Sequence, residues 1–150
     1  MELEAVQNML RIFPEMMKAL RCGFTPEIGV PLNHTETHTV MELYFRPGMT
    51  MKHYAHAAGL ECGSFTYLAD KLEEKGLIRR CSSQDRRCTA LSLTPEGNRA
   101  AEALRTQFEA YVSARLEVLN PAEREGLDTA VKTLEHTLKQ LEKQHGSDKA

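Results

Sequence analysis

Residues 50–93 read TMKHYAHAAGLECGSFTYLADKLEEKGLIRRCSSQDRRCTALSL, and the order of patterns inside them decides the fold. Thr50 is a natural N-cap for a short helix that ends by Ala58 and Gly59. Gly59 can take a positive φ at little cost, so the chain can reverse within three or four residues. A second helix is predicted from about Cys62 or Gly63 to Lys75, stopped by Gly76. Tyr54, Ala55, Ala58, Leu60, Phe65 and Leu68 then fall where two crossed helices need apolar or small contacts. Past Gly76 the period shortens: 77–82 and 88–93 are strand candidates around a polar tip at 83–87, which makes a hairpin.

Charge sharpens this pattern. The chain of 150 residues carries a net charge of −2, which excludes general electrostatic adhesion to nucleic acid. Yet Lys71, Lys75, Arg79, Arg80, Arg86 and Arg87 place six cations in residues 71–87, a local basic patch that the total conceals. The helix after the turn is expected to present Gly63, Ser64, Thr66, Tyr67 and Lys71 away from the core, toward base edges and phosphates of double-stranded DNA. An arginine at a hairpin tip fits a narrow minor groove, and Asp85 could orient its guanidinium.

Outward from this stretch the chain is helical. Residues 2–22 carry apolar side chains at helical spacing, with Pro14 inside predicting a kink or two shorter helices. Residues 24–32 read as an extended connector. Asn33 and Glu36 form a capping-box pair for a helix stopped after Arg46 by Pro47-Gly48. Thr94-Pro95 opens a helix with the stripe Leu104, Phe108, Tyr111, Val112, Leu116 and Leu119, and Asn120-Pro121 caps another with Leu127, Val131, Leu134, Leu138 and Leu141. From Gln144 on, the tail is expected to fray. These stripes exceed what a compact lobe can cover, so a two-fold dimer is expected. No run approaches the roughly 20 apolar residues of a membrane span, and the start has no signal-like core, so the chain is expected in the cytoplasm. The sequence holds no nucleophile-base pair, phosphate loop or metal triad with usable spacing, which argues against an enzyme and against a bound cofactor.

With Ala55 to Leu60, the run Leu68-Ala69-Asp70-Lys71-Leu72-Glu73-Glu74-Lys75-Gly76-Leu77-Ile78, Asp85-Arg86-Arg87, and Leu91-Ser92-Leu93-Thr94-Pro95-Glu96-Gly97 in place, the sequence resembles the MarR family of winged helix-turn-helix transcriptional regulators. The resemblance covers about residues 32–97. It implies a mainly α fold with a small β-hairpin wing. A winged helix-turn-helix lobe at 32–94 would lie between an N-terminal dimerisation helix and connector at 1–31 and C-terminal dimerisation helices with a short tail at 95–150. It also implies a homodimeric repressor on a pseudo-palindromic operator, released by a small effector. The base-reading helix would be 62–75, and the DNA contacts Gly63, Ser64, Thr66, Tyr67, Lys71, Arg79, Arg86 and Arg87, with Arg87 at the wing tip. The chain departs from the family pattern at the start of that helix, where Glu61 stands in place of the usual serine or threonine cap and Cys62-Gly63 weaken the first turn.

Three further sets of residues carry alternatives. Cys62 sits at a helix start that favours thiolate, and Cys81 and Cys88 flank the tip and could face each other across the hairpin, so oxidation could disturb the DNA surface; inert thiols are the other reading. His34 and His38, one turn apart near Glu36, are candidate metal ligands or plain surface histidines. Met9, Met16, Met17 and Met41, with Phe13 and Tyr111, could line a pocket for an apolar or aromatic effector, or be ordinary core. A thiol- or metal-responsive regulator of the same fold is therefore the alternative function. A winged-helix protein-interaction module is another, though its expected sign would be a missing basic wing.

Overall fold

The computed structural model of the chain describes residues 3–82 and 89–147. Its elements are α1 (Leu3–Arg21), α2 (His34–Phe45), α3 (Met51–Ala57), α4 (Cys62–Glu74), β1 (Ile78–Ser82), β2 (Thr89–Leu93), α5 (Pro95–Leu116) and α6 (Pro121–Ser147). The fold is thus mostly helical with one small antiparallel hairpin. Contacts gather the chain into two compact units, one of Cys22–Ala110 and one of Met1–Arg21 with Tyr111–Ala150.

The unit Cys22–Ala110 is organised around Val40 and Leu43 of α2, Tyr54 and Ala55 of α3, Phe65, Leu68, Ala69 and Leu72 of α4, then Leu77, Ile78, Leu91, Ala100, Ala101 and Leu104. Val40, Phe65, Ala69, Leu72 and Leu77 have no exposed surface, and burying each large side chain among them contributes about 1.5–3 kcal/mol. Three residues of this core come from α5, so packing continues past residue 94 and the unit closes at Ala110 inside that helix.

Local chemistry explains the joints. Asn33 Oδ1 accepts the Glu36 N–H (2.9 Å) and Glu36 Oε2 accepts the Asn33 N–H (2.8 Å), completing the capping box of α2. The helix-turn-helix closes at Gly59, with φ 66°, where the Leu60 N–H reaches Ala55 O (2.9 Å) and the Gly59 N–H reaches His56 O (3.0 Å). Gly76, with φ 72°, ends α4 in the same way through Leu77 to Leu72 O and Gly76 to Glu73 O. Both are Schellman closures, which place a left-handed residue after the last helical turn and so favour glycine. Tyr54 is buried, and its hydroxyl donates to Arg46 O (2.7 Å) and accepts the Met49 N–H (3.1 Å), pinning the Pro47-Gly48 turn between α2 and α3.

β1 and β2 pair from Ile78↔Leu93 to Ser82↔Thr89. Thr50 forms an additional bridge with Ala90 while its hydroxyl accepts the His53 N–H (3.2 Å). One residue therefore both caps α3 and ties it to the hairpin. In the other unit, α1 is a single helix: Pro14 deletes one backbone donor, and the helix continues on both sides instead of dividing in two. Glu123 Oε2 accepts the Asn120 N–H (2.8 Å) and Asn120 Oδ1 accepts the Glu123 N–H (3.0 Å) to start α6, which stays helical to Ser147, beyond the residue where fraying was expected. Among the described residues no helix is long and apolar enough to cross a membrane.

Candidate nucleic-acid interface

The face that α4 turns away from the core follows from its periodicity. Phe65, Leu68, Ala69 and Leu72 are buried, which leaves Glu61, Cys62, Gly63, Ser64, Thr66, Tyr67 and Lys71 exposed. The five α4 residues expected to meet DNA thus share one solvent-facing surface. They are not equivalent. Thr66 Oγ1 donates to Cys62 O (2.9 Å), whereas Lys71 places its ammonium 4.6 Å from the centre of the Tyr67 ring.

The basic patch divides on closer view. Lys75 donates to both carboxylate oxygens of Glu36 (2.8 Å each) and to Pro31 O (2.8 Å), so it serves as a strut between α4 and the start of α2. Arg80 is held by Glu73 (2.7 Å) and Asp70. Both are therefore engaged within the fold. Arg79, on the opposite strand face, is exposed and its Nε donates to Ser92 Oγ (3.1 Å). Lys71 and Arg79 are the described members of the patch that face solvent without a carboxylate. Asp85, Arg86, Arg87 and Cys88 lie outside the described residues.

Glu36 is the group whose role sequence spacing misses. Its carboxyl is buried, and burial alone would raise its pKa; the Lys75 hydrogen bonds, the Asn33 N–H, and the charges of Lys75 and Lys71 outweigh that and hold it below the ordinary value of 4.5. Engaged in this way, Glu36 is not available to a metal held by His34 and His38. Among the described residues no cluster of three or more histidine, cysteine or acidic side chains could hold an ion.

In the hairpin register Cys81 is opposite Ala90, and its Sγ lies 3.3 Å from Ser92 Oγ. The expected approach of Cys81 to Cys88 falls outside the described residues. Cys62 is exposed at the start of α4. Met41 packs against the core of the Cys22–Ala110 unit, while Met9, Phe13, Met16, Met17 and Tyr111 belong to the other unit.

Glu61 occupies the N-cap of α4 with extended backbone but makes no side-chain cap hydrogen bond. Glu61→Ser should supply that bond and raise unfolding stability by about 1 kcal/mol in a urea titration, while no gain would show that the first turn is already satisfied by solvent.

Comparison with known proteins agrees with this architecture. The model of the MarR family matches residues 32–89, the stretch from the start of α2 into β2. Among solved structures, RV1404 from Mycobacterium tuberculosis is similar with a TM-score of 0.71 at 17% identity, over 91% of this chain and 94% of that one. FabT from Streptococcus pneumoniae, solved in complex with DNA, gives 0.61 at 23% identity over 93% and 94%. MepR from Staphylococcus aureus bound to ethidium bromide gives 0.57 at 20% identity over 92% and 97%.

Proposed function

We propose, from the match of the MarR family model to residues 32–89, that this chain is a sequence-specific double-stranded DNA-binding transcriptional regulator. The observation that carries this is the exposed face of α4, with Ser64, Tyr67 and Lys71 projecting from a helix-turn-helix whose hairpin adds Arg79. Glu36–Lys75 ties the end of α4 to the start of α2, and Asp70–Arg80–Glu73 ties α4 to β1. The similar FabT structure contains DNA, which supports the same use of this fold.

A homodimer accompanies this reading. On α6, Leu127, Val131, Leu134, Leu138 and Leu141 recur at alternating steps of four and three, a heptad seam, and the last four are 38–56% exposed. Leu3, Leu10 and Ile12 of α1 are exposed as well. A second copy of the chain is the partner that would cover these stripes and set two α4 helices about one turn of DNA apart on a pseudo-palindromic operator. Repression relieved by an apolar or aromatic effector is the regulatory mode proposed, supported by the ethidium-bound MepR relative. Thiol control through Cys62, Cys81 or Cys88 is the alternative, for which the exposure of Cys62 speaks.

The test is an anisotropy titration with duplexes enriched from a random pool by the protein itself. Enriched duplexes should bind at least about 10³-fold more tightly than random DNA. Ser64→Ala combined with Arg87→Ala should abolish that preference. Arg79→Ala should instead weaken all sequences alike and lower the slope of log affinity against log salt by about 0.9, the share of one phosphate contact. Failure to enrich any sequence would refute the function, and sedimentation as a monomer at micromolar concentration would refute the dimer.

A further inference from the structure

We propose that Tyr67 and Lys71 act as a single reading unit that selects a thymine with a guanine beside it in the major groove; this rests on the DNA-binding function above. Tyr67 is 63% exposed although it lies one position before the buried Leu68, so its ring is displayed instead of packed. Lys71, one helical turn on, holds its ammonium 4.6 Å from the ring centroid. The two side chains sit on the same face of α4 as Ser64.

This arrangement has two consequences for recognition. An exposed lysine ordinarily loses much rotamer freedom when it binds, and a ring that already holds it reduces that loss. A lysine is fully protonated at neutral pH, so the ammonium held against the ring is a charged donor. The remaining ring surface is apolar and open, a match for the 5-methyl group that marks thymine in the major groove. The ammonium beside it matches the adjacent acceptors N7 and O6 that mark guanine. Among the described cations of the patch, Lys75 and Arg80 are bound to carboxylates and Arg79 stands on the hairpin, which leaves Lys71 as the cation on the exposed face of α4.

The experiment replaces each thymine of an enriched duplex by deoxyuridine, and each guanine by 7-deazaguanine, and measures affinity. One uracil should weaken the wild-type protein about fourfold, the worth of one buried methyl. A neighbouring 7-deazaguanine should weaken it about fivefold, the worth of one base-edge hydrogen bond. Tyr67→Phe should keep both penalties because the ring remains. Tyr67→Ala should erase the uracil penalty and shrink the guanine one, and Lys71→Met should erase the guanine penalty alone. A flat uracil profile in the wild type, or an unchanged profile in Tyr67→Ala, overturns the inference while leaving DNA binding intact. Absence of any enriched duplex would instead refute DNA binding and this inference with it.

Discussion

Replacing Lys75 by methionine should cost the Cys22–Ala110 unit about 3–5 kcal/mol at pH 7, because it leaves the Glu36 carboxylate charged, buried and without its cation. The stem of the lysine is kept in volume, so the loss is chiefly electrostatic. Glu36 in the wild type has a depressed pKa; its contribution is present above the unfolded value of 4.5 and is lost as pH falls through the lower folded value. In the variant, burial becomes the dominant influence and raises the carboxyl above 4.5. The penalty should then be greatest at neutral pH and should shrink as acid protonates the group. In urea unfolding the wild type should therefore stay nearly level between pH 7 and pH 5, its loss lying below 4.5, while the variant regains stability over the same interval. Adding Glu36→Gln to Lys75→Met should restore most of the loss, since the amide oxygen can still accept the Asn33 N–H. A loss below about 1 kcal/mol with an unchanged pH dependence would show that solvent reaches Glu36 after all.

The same pair shows where sequence reading stops. Asn33 and Glu36 are three residues apart, so their capping box is legible from spacing, as are Thr50 and Asn120 as caps and Gly59 and Gly76 as helix ends. These depend on neighbours along the chain. The second duty of Glu36 depends on a cation 39 positions away, and nothing local separates Lys75 from Lys71. Both are lysines after the turn; one faces Pro31 O and Glu36, the other the Tyr67 ring. The basic patch was therefore visible as composition but not as geometry. Likewise the Thr50 bridge to Ala90 joins a helix cap to a strand 40 residues later, and the core share of α5 depends on which turn of a long stripe meets the hairpin.

A second large effect is expected at Gly97, where the family-like stretch Leu-Ser-Leu-Thr-Pro-Glu-Gly acquires a physical cause. A Cβ at this position would stand 1.9 Å from Leu77 O, 2.9 Å from Leu77 C and 3.2 Å from Leu93 Cδ2. Leu77 O cannot retreat freely, because it accepts the Thr94 N–H (3.0 Å). Thr94 is fixed in turn: its hydroxyl donates to Gly76 O (2.6 Å) and accepts the Gly97 N–H (3.0 Å). Moving the first turn of α5 outward to admit a methyl group would thus break the joint that holds α5 to the end of α4 and the start of β1. Helix propensity alone favours alanine by about 1 kcal/mol, so the clash decides the sign. Gly97→Ala should destabilise by about 3 kcal/mol in guanidinium unfolding, from overpacking and lost hydrogen bonds together. Gly126 is the control, since a Cβ there meets nothing within 4 Å and the residue lies inside α6. Gly126→Ala should stabilise by about 0.5–1 kcal/mol. Equal effects at the two glycines would mean that the α5 joint yields without cost, and the threonine and glycine of this stretch would then lack a structural reason to occur together.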